Sequence, residues 1–437
     1  MSTTRNARGS CRVLVGPALV IALVALVVAG CGSSSTPGAT ATATPSPTPL
    51  PPRPALLFYS TGSALYAVNP ETGAQVWTYQ GTSIHPVNAV TDELVYVQDG
   101  NVVRAINART GAAAWSYTSR ASEFTITLRA ATLFIGSSPN DSSAPFIAAL
   151  DAHTGTVLWQ EQSDSLVTVD TTSGLVLARS SSAAVVRKLA DGTVLHSYAI
   201  TDPGNTGAAL LGGKLFLSRQ RGTQIQAFDA ASGSQLWQRT LAEYHAEVDT
   251  IAGNTLLVRA IADVNQEQDF GTEHTFGLDL LGLDPGTGTQ VWKLTLPGAI
   301  GVLRAVGGTA YLKAADQLYA VRASDGAVLW KTSAGLLGPI AIGADGTLYT
   351  FGHDGLLSAI RSADGSVAWK ASIVPLMYPG LTVVGGRVYA SRLQLGRMVI
   401  DVYLYDAHTG ASVTHYTKDL SAEFAGQEVA LLTSLIG

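Results

Sequence analysis

At 437 residues, 46% hydrophobic and only 14% charged, the chain has ample apolar material for a core, and length alone would admit two or three domains. Residues 1–30 hold three arginines (Arg5, Arg8, Arg12) and no acid, so the remainder carries 24 basic against 32 acidic residues, which argues against a nucleic-acid partner. The two cysteines, Cys11 and Cys31, precede the region with strand character, which excludes a disulfide framework or a cysteine-based metal site in the body of the protein.

In chain order, residues 1–12 are polar and basic, and Val13 to Val28 form an apolar run (VLVGPALVIALVALVV) too short and too abruptly ended for a comfortable membrane span. Residues 1–30 therefore read as a cleavable signal peptide. The run closes in Val28-Ala29-Gly30-Cys31, which resembles the bacterial lipobox, where small residues let a peptidase grip extended backbone just before the cysteine. That resemblance implies a lipidated Cys31, with palmitate among the acyl chains, and anchoring by lipid rather than by a span, since two or more chains hold stably where one does not. Residues 31–54 carry the cysteine and a tether, GSSSTPGATATATPSPTPLPPRP, with no large apolar residue before Leu50, so the segment cannot bury enough surface to fold. In extended polyproline-like form its roughly 23 residues at ~3.1 Å each span about 70 Å.

From residue 55 to 437 the pattern changes to short runs of Val, Leu, Ala and Tyr broken by Gly, Asp and Ser, the signature of an all-β domain. One element recurs in nine copies: LYAVNPETGAQVW, VRAINARTGAAAW, IAALDAHTGTVLW, VVRKLADGTVLH, IQAFDAASGSQLW, LLGLDPGTGTQVW, LYAVRASDGAVLW, LSAIRSADGSVAW and VYLYDAHTGASVT. All seven tryptophans (Trp77, Trp115, Trp159, Trp237, Trp292, Trp330, Trp369) fall four residues after the motif glycine, and His196 and Thr414 fill that place in the other two copies. Successive copies lie 37 to 55 residues apart, the range of a four-stranded propeller blade.

The motif has local reasons. Its glycine (Gly73, Gly111, Gly155, Gly192, Gly233, Gly288, Gly326, Gly365, Gly410) should take the left-handed conformation of a tight hairpin loop. Asn or Asp opens the loop in six copies (Asn69, Asn107, Asp151, Asp229, Asp284, Asp406), where its side chain can bond turn amides. The strand before it carries a small residue (Ala67, Ala105, Ala149, Ala227, Ala320, Ala359) suited to close blade packing, and the Trp that follows covers apolar area while its N–H reaches a neighbouring backbone. The C-terminal segment after Tyr416 (FAGQEVALLTS) is expected to complete the first blade and close the ring.

The repeat, A-x-[DN]-x-x-T-G-x-x-x-W, resembles the pyrroloquinoline-quinone (PQQ)-type β-propeller repeat over essentially all of residues 56–434. Familiar members have eight blades, so eight is the expectation, against nine motif copies. The resemblance implies one of two branches. Quinoprotein dehydrogenases hold PQQ and calcium on the propeller axis, with a Trp below the quinone and, in alcohol-oxidising members, a vicinal disulfide on it. BamB-like lipoproteins keep the fold without the cofactor. Here every Trp belongs to the docking motif and no cysteine follows position 31, so neither catalytic nor metal residues are assigned and no cofactor is expected.

Outside the repeat, the longest insertion (DVNQEQDFGTEHTFG) groups Asp263, Glu267, Asp269, Glu273 and His274, an oxygen-rich loop whose spacing is not that of a calcium loop; it is a contact-loop candidate. No HExxH pair, G-x-S-x-G elbow or phosphate loop supports a hydrolase. The function expected is a monomeric, non-catalytic scaffold for an envelope protein or ligand, anchored on the outer face of the cytoplasmic membrane, or on an outer membrane where one exists. A PQQ-dependent dehydrogenase and an envelope glycan binder are the alternatives.

Overall fold

The computed structural model describes residues 55–419 and 434–436, apart from 86, 88, 138–144, 201–206, 220–221, 243, 262–277, 299, 334–335, 353–354, 374–379 and 395–398. All fall in one compact unit, Pro52–Gly437. Cys31 and the tether lie outside the described residues, as does the insertion with Asp263, Glu267, Asp269, Glu273 and His274.

Every described element is a strand, and the strands assemble into nine separate four-stranded antiparallel sheets, the blades of a β-propeller. Eight of the sheets use consecutive strands, as in Ser165–Asp170, Leu175–Arg179, Ala183–Lys188 and Val194–Ala199 of blade 4. Blade 1 draws three strands from the start of the domain, Leu56–Thr61, Ala64–Val68 and Gln75–Gln80, and its innermost from the C-terminus, Ser434–Ile436. That strand runs antiparallel to the first, with Leu56 opposite Ile436 and Phe58 opposite Ser434. The ring is thus closed by the C-terminal strand, which pairs with the inner edge of Leu56–Thr61 from Leu56 to Phe58.

The expectation of eight blades is corrected to nine. Each motif copy owns a full sheet, including the two copies that lack Trp, because the turn and the strand pattern define a blade and the tryptophan only joins it to the next.

Burial explains which residues go where. The second strand of a blade is covered on both faces by its neighbours, so it reads as an unbroken apolar run: LLFYST, LVYVQD and LYTFG are buried at every position. The outermost strand is covered on one side only, and QVWTYQ and QLWQRT bury little besides their tryptophan. The core is correspondingly divided. Nine apolar clusters, each shared between two adjacent blades, fill the nine seams, from Phe58, Trp77 and Val97 between blades 1 and 2 to Leu57, Tyr66 and Tyr416 between blades 9 and 1.

Candidate functional site

The hairpin joining the third and outermost strands is built alike in all nine blades. In blade 1 the Asn69 carbonyl accepts from Gly73 N at 2.8 Å, and the Asn69 side-chain oxygen accepts from the amides of Glu71 and Thr72. Asp151, Asp229, Asp284 and Asp406 do the same work, each also accepting a hydroxyl from Thr154, Ser232, Thr287 and Thr409. These bonds hold the four carboxyls below the ordinary carboxylate range. Blades 4, 7 and 8 use a second chemistry: Asp191, Asp325 and Asp364, just before the glycine, accept the amides of Thr193, Ala327 and Ser366.

The motif glycines sit at φ between 70° and 76°, the left-handed region. They are needed a second time for space. A β-carbon on Gly111 would lie 2.8 Å from the Trp77 indole, and one on Gly155 under Trp115, Gly192 under Trp159, Gly288 under Trp237, Gly326 under Trp292, Gly365 under Trp330 or Gly410 under Trp369 would lie at 2.5 to 2.6 Å. Each indole is laid on the turn of the following blade. Each also donates its Nε1–H to a carbonyl there: Trp77 to Ala108, Trp115 to Ala152, Trp159 to Leu189, Trp237 to Pro285, Trp292 to Ala323, Trp330 to Ser362 and Trp369 to Ala407, at 2.7 to 3.1 Å.

Within its own blade the tryptophan stands opposite a small residue of the third strand: Ala67, Ala105, Ala149, Ala227, Gly282, Ala320 or Ala359. Where His196 replaces it the partner is Val186, and where Thr414 replaces it the partner is Leu404. Small faces large, and medium faces medium, so each pair keeps a similar volume. The sequence reading gave the alanines to blade packing in general; their specific task is to make room for the indole across the strand pair.

His196 still spans its seam, with its ring over Gly233 and Nε2 2.9 Å from the Ala231 carbonyl. Thr414 does not act in this way; the ring over Gly73 belongs to Tyr416, two residues further on. Burial pushes the Tyr416 phenol well above its ordinary range, and its hydroxyl finds no hydrogen-bond partner among the described residues.

Polar groups also gather away from the motif, at a groove between two blades and on the inner side of a third among other places. A groove of about 680 Å³ runs between the loops of blades 2 and 3, lined by Asp92, Glu93, Arg109, Trp115, His153 and Thr154. Across its edge Nδ1 of His153 lies 3.3 Å from the Glu93 carboxylate. On the inner side of blade 6, Arg259 holds Asp249 at 2.6 Å and Glu247 at 3.3 Å. Burial raises the Asp249 carboxyl even against the arginine. The strand that carries Arg259 leads directly into residues 262–277. Sequence reading missed both places, since the groups come together only through neighbouring blades or a strand register.

A family model described as outer membrane protein assembly factor BamB matches the chain three times, over residues 34–162, 146–275 and 278–417. No curated protein sequence matches the chain. Among solved structures, BamB from Moraxella catarrhalis is 19% identical over 70% of this chain and 92% of its own, with a TM-score of 0.45. A quinohemoprotein alcohol dehydrogenase from Pseudomonas putida HK5 is 15% identical over 69% of this chain and 68% of its own, also at 0.45. A eukaryotic initiation factor, 12% identical over 84% of this chain and 97% of its own, has a TM-score of 0.60 and shares the fold alone. With three matches spanning most of its length, the chain belongs to the PQQ-type repeat β-propeller family described by the assembly factor BamB.

Proposed function

We propose that the chain is a non-catalytic, lipid-anchored propeller of the bacterial cell envelope that offers its loops and grooves to a protein partner, as the name of the BamB family suggests. The observation that carries this reading is the commitment of all seven indoles to the joints between blades. The dehydrogenase branch implies an indole under the quinone and, in its alcohol-oxidising members, a disulfide upon it. Here the indoles are covered by the next blade, and the chain's cysteines are Cys11 and Cys31. On the inner side of blade 6 the carboxylates Asp249 and Glu247 are tied to Arg259, whose charge opposes a calcium ion in the same place. These groups support the reading without PQQ and calcium.

Anchoring rests on the sequence of residues 1–54, which reads as a signal peptide, a lipidated Cys31 and a Thr/Pro-rich tether. The groove between blades 2 and 3 brings Asp92 and Glu93 together with Arg109 and His153, a mixed-charge surface suited to polar protein contacts.

In-cell cross-linking of the full-length lipoprotein, read by mass spectrometry, tests the reading. Envelope proteins trapped on loop residues support it. Stoichiometric micromolar or tighter binding of PQQ and calcium to the detergent-solubilised full chain, by calorimetric titration, overturns it. Cys31→Ser is expected to move the protein from the membrane to the soluble fraction.

A further inference from the structure

We propose that the ring is built to part at the seam between blades 9 and 1 and to pivot at the seam between blades 4 and 5. Seven seams are fastened alike, by an indole on a glycine turn and an N–H to the next blade's backbone. The two exceptions are unlike each other. His196 keeps both halves of the fastening with a smaller ring, so the seam between blades 4 and 5 stays joined while covering less apolar surface. Thr414 keeps neither half. Tyr416 covers Gly73 in its stead, with its phenol buried and unbonded among the described residues.

Their placement gives the two seams a joint meaning. They divide the nine blades into an arc of four, blades 1–4, and an arc of five, blades 5–9, each arc fastened internally by tryptophan at every seam. A weak seam has a consequence only if a second yielding point lies across the ring from it, and His196 supplies that point. Blade 1, which borders the seam between blades 9 and 1, is also where the two ends of the domain meet, its first strand held to the closing strand by three residue pairs. Hydroxyl-bearing side chains line the same seam. Burial raises the phenols of Tyr389 and Tyr416, with Glu71 of blade 1 adding to the first and Tyr389 to the second, and Ser391, two residues on along the strand, has an Oγ that is buried and unbonded among the described residues, as does Thr350 at the seam between blades 7 and 8. A seam packed with hydroxyls loses less on wetting than one packed with Trp, Leu and Val.

Thiol labelling tests this on the full chain. Ser391→Cys places a probe at the seam between blades 9 and 1, and Thr350→Cys places one at the Trp330-fastened seam between blades 7 and 8; the parent side chains are 2% and 0% exposed. With each rate divided by that in denaturant and sites resolved by peptide mass spectrometry, the Ser391→Cys thiol is expected to react at least about tenfold faster. Ala184→Cys, at the seam between blades 4 and 5, should fall between them. Restoring the common pair with Leu404→Ala and Thr414→Trp should bring the Ser391→Cys rate down to that of Thr350→Cys; Tyr79 and Tyr117 already stand two residues beyond Trp77 and Trp115, so Tyr416 need not change. Equal protection of the Ser391→Cys and Thr350→Cys thiols overturns the opening, and this comparison decides even if the refastened variant does not fold. An Ala184→Cys thiol as protected as Thr350→Cys overturns the pivot.

Discussion

Trp292 stands directly across the strand pair from Gly282, so close that a β-carbon on the glycine would run into the indole. In the other six Trp-bearing blades the same place holds alanine, which means that Trp292 sits deeper against its own sheet than its counterparts do. Gly282 is not at positive φ, so the constraint is one of space alone. Gly282→Ala is therefore expected to destabilise the domain by about 1–3 kcal/mol, the usual cost of overpacking, despite alanine being the common residue at the position. Denaturant unfolding followed by Trp fluorescence measures it, and an unchanged midpoint would show that the indole relaxes freely.

Trp330 separates the two contributions of the fastening. Trp330→Ala removes the ring from a site 8% exposed and orphans the Ser362 carbonyl, for an expected loss of about 3–5 kcal/mol. Trp330→Phe keeps most of the area and loses the N–H, for about 1 kcal/mol. Because each blade touches only its neighbours, both variants should loosen amides of blades 7 and 8 first, which hydrogen exchange resolves. Equal losses from the two variants would assign the whole effect to the hydrogen bond.

Much of this architecture was legible in the sequence because the turn is local. Asn69, Thr72 and Gly73 are within four residues of one another, so one repeat suffices to read the loop, and nine copies to read the fold. The tryptophan phase was legible for the same reason, although the carbonyl that Trp237 reaches is 48 residues away. Blade number follows from the count of nine turns and not from the eight blades common in the family, because each turn owns a full sheet. Tyr416 was not legible: position four after Gly410 is Thr414, and only the assembled seam shows a ring from position six lying over Gly73. Nor was the cluster of Asp249, Glu247 and Arg259, where a bulge in the inner strand turns Asp249 to the arginine.

The turn carboxylates set a pH dependence with a definite sign. Asp151, Asp229, Asp284 and Asp406 are held below their unfolded range by amide and hydroxyl donors, so they contribute stability above that range and lose it as pH falls through their folded values. Asp249, raised by burial, has the opposite sign and relieves a cost as it protonates. Acid should therefore loosen the outer hairpins before the inner wall of blade 6. Asp151→Asn tests the assignment, since Asn69 and Asn107 form the same amide bonds without a charge. The variant should match the parent near neutral pH and lose less stability on acidification. A variant as acid-sensitive as the parent would place the effect elsewhere.

Arg187 gives the largest expected effect from a single polar residue. It is 7% exposed and holds three groups at once: Asp164 through both Nε and Nη2, Glu161 at 2.9 Å, and the Gly192 carbonyl at 3.0 Å. Asp164 belongs to the link that enters blade 4, Glu161 ends the outermost strand of blade 3, and the arginine is on the third strand of blade 4, so the cluster fixes the link and the edge of blade 3 against blade 4. Arg187→Met leaves the buried Asp164 charge without its counter-ion and should cost about 3–5 kcal/mol. Arg187→Met combined with Asp164→Leu removes both charges and should recover most of that loss, because a desolvated ion pair is often worth little more than the apolar residues that replace it. If the double variant is as unstable as the single one, the arginine acts chiefly through the Gly192 carbonyl and Glu161, and the hairpin turn of blade 4, rather than the buried charge, is what it stabilises.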